Sequence, residues 1–86
     1  MRLEVKLFGP LRPYVRGSLQ IELPDGARAR DAREAIGAAL DRAGGGAARA
    51  LLARSALGTD DEVLPDDAPL PAGVRSLAVL PPVCGG

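Results

Sequence analysis

The sequence predicts an α+β domain in which a small mixed sheet packs on one main helix. Three observations carry this: apolar and charged residues alternate over 2–8, the apolar period turns helical over 29–43, and a second dense apolar run occupies 74–80. Eighty-six residues leave room for one such unit, because a second would fall below the size at which a chain buries enough surface to hold itself together. Apolar residues make up 47% of the chain, but alanine is a large part of that share, so Leu, Ile, Val and Phe must supply the core.

In Arg2 to Phe8, Leu3, Val5 and Leu7 alternate with Arg2, Glu4 and Lys6, which gives a strand one apolar and one charged face. Gly9-Pro10 stops it, and Leu11 to Val15 fits a short turn of helix. Gly17 opens a second alternating run, Ser18 to Leu23, consistent with an antiparallel hairpin closed by a wide loop. Pro24-Asp25-Gly26 marks its exit. From about Ala29 to Ala43, residues Ala32, Ile36, Ala39, Leu40 and Ala43 fall at helical spacing, with Arg28, Arg30, Arg33, Asp41 and Arg42 at the expected wet positions. Arg30 and Glu34 stand one turn apart as a candidate ion pair. Gly44-Gly45-Gly46 ends this helix.

Residues 47–56 read equally as a second helical segment or the start of a strand. The Gly-, Pro- and acid-rich stretch 58–73 predicts turns around one brief strand near Glu62 to Leu64. Val74 to Leu80 is dense enough in apolar residues for a central strand buried on both faces. The first and last strands are the most apolar, so they belong side by side at the sheet centre, parallel because a crossover links them. Periodicity thus gives a small mixed sheet over one helix, with residues 1–80 as the domain and 81–86 as an extended tail.

Eleven basic and eleven acidic side chains cancel, leaving no global field to draw the protein onto nucleic acid or an anionic membrane. With no His and one Cys, the chain cannot build an ordinary structural zinc site, a Ser-His-Asp or Cys-His machine, or an internal disulfide. There is no charged-then-apolar leader and no apolar run near the roughly 18 residues of a membrane span, so a cytoplasmic soluble protein is expected. Asp60, Asp61, Glu62, Asp66 and Asp67 lack the spacing of a calcium loop. They read as a solvated loop, with a divalent-ion or basic-partner site as the alternative.

Chemical character concentrates in the tail. Pro81-Pro82 fixes two φ angles at about −65° and withholds two N–H donors, so the chain leaves the sheet stiff and extended instead of continuing the ladder. Gly85-Gly86 carries no side chain, leaving bare backbone and a carboxylate that fits a channel too narrow for a Cβ. A carboxylate resists nucleophiles until its oxygen becomes a good leaving group.

The ending Leu77-Ala78-Val79-Leu80-Pro81-Pro82-Val83-Cys84-Gly85-Gly86 resembles the "LAxLPPVSGG" close of the MoaD/ThiS sulfur carriers, above all the small subunit of molybdopterin synthase. The opening Val5-Lys6-Leu7-Phe8-Gly9-Pro10-Leu11-Arg12 is similar to that subunit's "V-x-x-F-A-x-L-R-E". The resemblance implies a ubiquitin-like β-grasp carrier whose Gly86 is adenylated with ATP by a ubiquitin-activating-type enzyme. A sulfurtransferase or desulfurase would then supply the sulfur of a thiocarboxylate. Inserted into the large subunit of molybdopterin synthase, that group would give its sulfur to the dithiolene of the molybdenum cofactor.

On this reading the chain is a non-catalytic co-substrate with no cofactor of its own, and a heterotetramer with two large subunits is implied. Pro81, Pro82, Val83, Cys84 and Gly85 would thread the partner's active site, and Phe8 and Arg12 would contribute to docking. Phe8 is otherwise a core residue at the end of its strand, although its phase opposite Leu7 argues for exposure. Three departures stand out: Pro13 replaces the acid that usually follows the arginine, Ala53-Arg54-Ser55-Ala56-Leu57 replaces the usual "AVN" strand, and Cys84 replaces a Ser or Ala. Cys84 is either a small residue that fits the channel or a thiol able to trap a persulfide.

Other outcomes share the same tail. Thiamine, cysteine and tRNA-thiolation carriers also end in diglycine, a ubiquitin-like modifier would pass the activated Gly86 to a target lysine, and an interaction module would need no activation.

Overall fold

The computed structural model describes residues 1–15, 17–43 and 46–81. Strand β1 (Arg2–Leu7) buries Leu3, Val5 and Leu7 and exposes Arg2, Glu4 and Lys6, as its alternation requires. A 3₁₀ helix over Gly9–Tyr14 follows, with Leu11 turned into the core. Pro10 and Pro13 suit this tighter helix because each lacks the N–H that a longer α-helix would need to place. Strand β2 (Ser18–Glu22) returns antiparallel to β1, pairing Arg2 with Glu22 and Lys6 with Ser18.

Helix α1 (Ala29–Arg42) lays Ala32, Ile36 and Leu40, all fully buried, against the inner face of the sheet. Its free N-terminal donors are satisfied by the acid-rich loop: Ala29 N–H donates to the Ala68 carbonyl and Arg30 N–H to the Asp66 carbonyl, both at 2.9 Å. Arg28 N–H donates to the Asp31 carboxylate at 2.8 Å. The loop is therefore structural chiefly through its backbone, although the Asp66 carboxylate also accepts from Arg33 at 3.2 Å.

The ambiguous stretch 47–56 resolves into both readings in succession, helix α2 (Gly46–Ala53) and strand β3 (Ala56–Gly58). Ser55 makes the switch, its hydroxyl donating to the Leu51 carbonyl at 2.8 Å at the end of the helix. Strands β4 (Val63–Leu64) and β5 (Ser76–Leu80) complete a five-stranded sheet in the order β2-β1-β5-β3-β4. Strands β1 and β5 lie adjacent and parallel, Glu4 opposite Ser76 and Leu7 opposite Val79, with β3 antiparallel to β5 on its other side. This is the β-grasp fold. Leu3, Val5, Leu57, Leu77 and Val79 from the sheet close the core with Ile36, Leu40, Ala48 and Leu52 from the helices. Among the described residues no helix is long and apolar enough to cross a membrane.

Several expectations are corrected. Strand β5 is buried on one face only: Leu77 and Val79 are inside, whereas Ser76, Ala78 and Leu80 are half-buried because no second layer covers the outer face. Ala43 lies past the last turn of α1 and is exposed. Arg33 is not a wet position, since the loop and α2 fold over it; its guanidinium donates to the Leu52 carbonyl and to Asp66. Glu34 pairs with Arg49 of α2, not with Arg30.

Candidate functional site: the outer sheet face and the root of the tail

Because β1 and β5 run parallel, their C-terminal ends lie at the same edge of the sheet. Phe8 N–H donates to the Val79 carbonyl at 3.2 Å, a last rung that sets Phe8 beside Leu80. Leu7 and Val79 point into the core, so alternation turns Phe8 and Leu80 to the outer face. Across β5, Leu80 pairs with Ala56, while Ala78 stands between Lys6 and Gly58, with Val63 opposite Gly58. The outer face thus carries a row Phe8, Leu80, Ala56 beside a row Lys6, Ala78, Gly58, Val63. Phe8 is 42% exposed and Val63 61%, which makes this an uncovered apolar surface at the point where the chain leaves the sheet.

Phe8 and Arg12 come together here. Both line a shallow depression of about 370 Å³ with Glu4, Lys6, Leu7, Gly17 and Ser18. Glu4 accepts from the Ser18 hydroxyl at 3.2 Å, and among the described residues neither Lys6 nor Arg12 forms an ion pair. The depression combines the apolar ring of Phe8 with two cations, Lys6 and Arg12, and one carboxylate, Glu4.

Pro81 is half-buried and packs on Gly9, whose φ of +64° turns the chain from β1 into the 3₁₀ helix. Pro82, Val83, Cys84, Gly85 and Gly86 lie outside the described residues. Sequence reasoning missed Ala56, Val63, Ala78 and Leu80 as members of this face. The strand register would have found them, but an apolar residue on an outer face looks like core when no partner is in view.

A second, more polar depression of about 490 Å³ opens between Thr59–Glu62 and Pro71–Ser76, at the opposite end of β5 from Pro81. Its acids are held in a turn in which the Thr59 hydroxyl accepts from the N–H groups of Asp61 and Glu62, each at 3.2 Å. Among the described residues no cluster of side chains is arranged to hold a metal ion. The two displaced titrations also lie away from the tail root. Arg2 holds the Glu22 carboxyl below its ordinary range by hydrogen bonding and charge, and the hydrogen bonds that Arg49 donates to Asp41 and then to Glu34 raise Arg49 above its ordinary range.

Comparison with known proteins agrees with this geometry. The molybdopterin synthase sulfur carrier subunit of Synechococcus elongatus is 40% identical over 68 residues, spanning 79% of this chain and 73% of that protein. Among solved structures, SAMP1 from Haloferax volcanii superposes with a TM-score of 0.71 at 24% identity over the whole of both chains, a likeness of fold. A chain in the complex of subunits 1 and 2 of the molybdopterin-converting factor from Helicobacter pylori superposes with a TM-score of 0.58 at 26% identity, again over the whole of both. The family model described as "ThiS family" matches residues 5–86, and the chain belongs to that family, as a sulfur carrier of the MoaD/ThiS type.

Proposed function

We propose that the chain is the sulfur-carrying small subunit of a molybdopterin synthase, and that the outer face around Phe8 and Leu80 docks on the large subunit and, in turn, on the adenylating enzyme. The observation that carries this is the placement of an uncovered apolar surface directly at the root of the diglycine tail. A partner that covers Phe8, Leu80, Ala56 and Val63 receives the tail in the same encounter. Lys6 and Arg12 at the rim favour an acidic partner surface and speed its approach. The relative from Synechococcus and the two-subunit complex from Helicobacter favour molybdopterin synthase over the other sulfur pathways.

The chemistry belongs to Gly86. Its carboxylate oxygen attacks the α-phosphorus of ATP in the adenylating enzyme, and pyrophosphate leaves. A sulfide-level donor then attacks the carbonyl carbon of the acyl-adenylate; the C–O bond to AMP breaks, AMP departs with the electron pair, and a thiocarboxylate remains. In the large subunit that sulfur displaces an oxygen leaving group from a carbon of the pterin precursor, giving a thioester. Water then attacks the glycyl carbonyl, the acyl C–S bond breaks, the sulfur stays on the product and Gly86 regains its carboxylate. Glycine at positions 85 and 86 admits this carbonyl to a narrow active site, and no side chain of the carrier takes part in bond making.

Intact mass tests the reading. Incubation with a ubiquitin-activating-type adenylating enzyme, ATP and sulfide should add about 16 Da, the exchange of one oxygen for sulfur, and the product should support molybdopterin formation with the large subunit. Absence of the gain sinks the carrier chemistry. A gain with no sulfur delivered to the large subunit points to another sulfur pathway, and ladders of conjugates point to a protein modifier.

A further inference from the structure

We propose that Gly9 is a positioning residue for the tail: a backbone with no side chain, held against Pro81, sets the direction in which the chain leaves β5. The functional half of this inference rests on the carrier reading above. Gly9 sits at φ +64°, and a Cβ built on it would lie 2.9 Å from Pro81 Cβ and 3.1 Å from Pro81 Cγ. Real side chains do not approach that closely. The obstacle is a ring fused to the backbone, so no rotamer change relieves it; the main chain at Pro81 would have to move.

Leverage makes this contact matter. Five residues follow Pro81, and drawn out in a partner's channel they span about 17 Å. A turn of about 10° at the root then displaces the end by about 3 Å, where a misplacement of about 1 Å can cost on the order of 100-fold in rate. Gly26 supplies the contrast, with φ +84° and nothing within 4 Å of its would-be Cβ. It lies beyond the end of β2, next to the start of β1 and away from Pro81. The family pattern quoted above carries alanine at the place of Gly9, so Gly9→Ala tests whether this chain, unlike that pattern, needs a bare backbone there.

The experiment compares wild type, Gly9→Ala, Gly9→Asn and Gly26→Ala. Asn tolerates positive φ better than Ala yet keeps a Cβ against Pro81, so it decides the matter should Gly9→Ala not fold. A nitroxide on Cys84, the sole cysteine, reports the tail's direction through the amide signals it broadens across the sheet. ATP–pyrophosphate exchange with the adenylating enzyme reports activation of the unlabelled proteins. Both Gly9 variants should change the broadening map and lower kcat/KM by about 10- to 100-fold, chiefly through kcat, whereas Gly26→Ala should lower Tm alone. Gly9 variants with a wild-type map, or Gly26→Ala slowing activation as much, overturn the proposal. Should wild type itself not be adenylated, the carrier reading fails and the broadening map alone decides Gly9.

Discussion

The guanidinium of Arg49 in α2 lies over the backbone of Gly37 in α1, where a Cβ on residue 37 would stand 3.0 Å from Arg49 Cζ. From that position Arg49 donates to Asp41 at 2.9 Å and to Glu34 at 3.4 Å. One cation thus joins the two helices across a site where α1 has no side chain. The expected behaviour of Gly37→Ala follows from two opposed terms. Removing glycine from a helix interior contributes about 0.8–1 kcal/mol, and displacing a largely solvated ion pair costs less than that. The guanidinium is the far end of a pliable chain, so Gly37→Ala should be neutral to slightly stabilising in urea denaturation. Arg49→Ala should then cost less in the Gly37→Ala background than in wild type. Equal costs in both backgrounds would show that the contact carries no energy.

Arg2 and Glu22 face each other across β1 and β2 with 2.8 Å between Arg2 Nη2 and Glu22 Oε1. Hydrogen bonding to Arg2, then its charge, holds the Glu22 carboxyl below its ordinary range. A carboxyl depressed in the folded state binds its proton more weakly there than in the unfolded chain, so the pair's contribution is present above the unfolded glutamate range. It is lost as pH falls through the folded value. Titration of Glu22 by NMR should move up to the ordinary range in Arg2→Met, and the wild-type depression should shrink in high salt, since both groups are exposed. An unchanged Glu22 midpoint in Arg2→Met would remove Arg2 as the cause.

Stability should separate three residues, of which the sequence alone misplaces only Arg33. Ile36 is fully buried, and Ile36→Ala should cost about 2–4 kcal/mol, a large share for so small a core. Arg33→Ala should cost about 1–2 kcal/mol, because the Leu52 carbonyl loses its charged donor in a half-buried place. Asp66→Ala should lie within about 1 kcal/mol, since its carboxylate is a solvated partner of Arg33 and it is the Asp66 carbonyl that caps α1. Equal costs for Arg33→Ala and Asp66→Ala would place the Arg33 energy in the ion pair and not in the carbonyl contact.

Arg33 also shows where sequence reading runs out. Strand β1 was legible because Leu3, Val5 and Leu7 alternate with charges, and α1 because Ile36 and Leu40 keep one face. Those are local patterns. The burial of Arg33 depends on a loop residue thirty-three positions away folding over it, and no periodicity encodes that. Strand β5 failed differently: Ala78 and Leu80 are apolar on a face that the fold leaves open, so local hydropathy read both faces as core. The tail's chemistry was legible in Pro81-Pro82 and Gly85-Gly86 as a pattern of residue types. The approach of Gly9 to Pro81 was not, because it joins the ends of two strands far apart in the chain.

The open face makes its own prediction, in which stability and binding part company. Phe8 keeps 42% of its surface in water, and its backbone N–H, which any residue but proline retains, supplies the rung to Val79. Phe8→Ala should therefore cost no more than about 1 kcal/mol of folding stability. An aromatic anchor on a docking face commonly contributes about 2 kcal/mol or more to binding, about 30-fold in affinity. Calorimetric titration of Phe8→Ala against the large subunit should show a loss of that order. Lys6→Ala at the rim should instead slow association and weaken its salt dependence while changing dissociation little. If Phe8→Ala unfolds the protein, Phe8 is core; if it binds as wild type does, the partner covers some other surface and the docking role of this face is wrong.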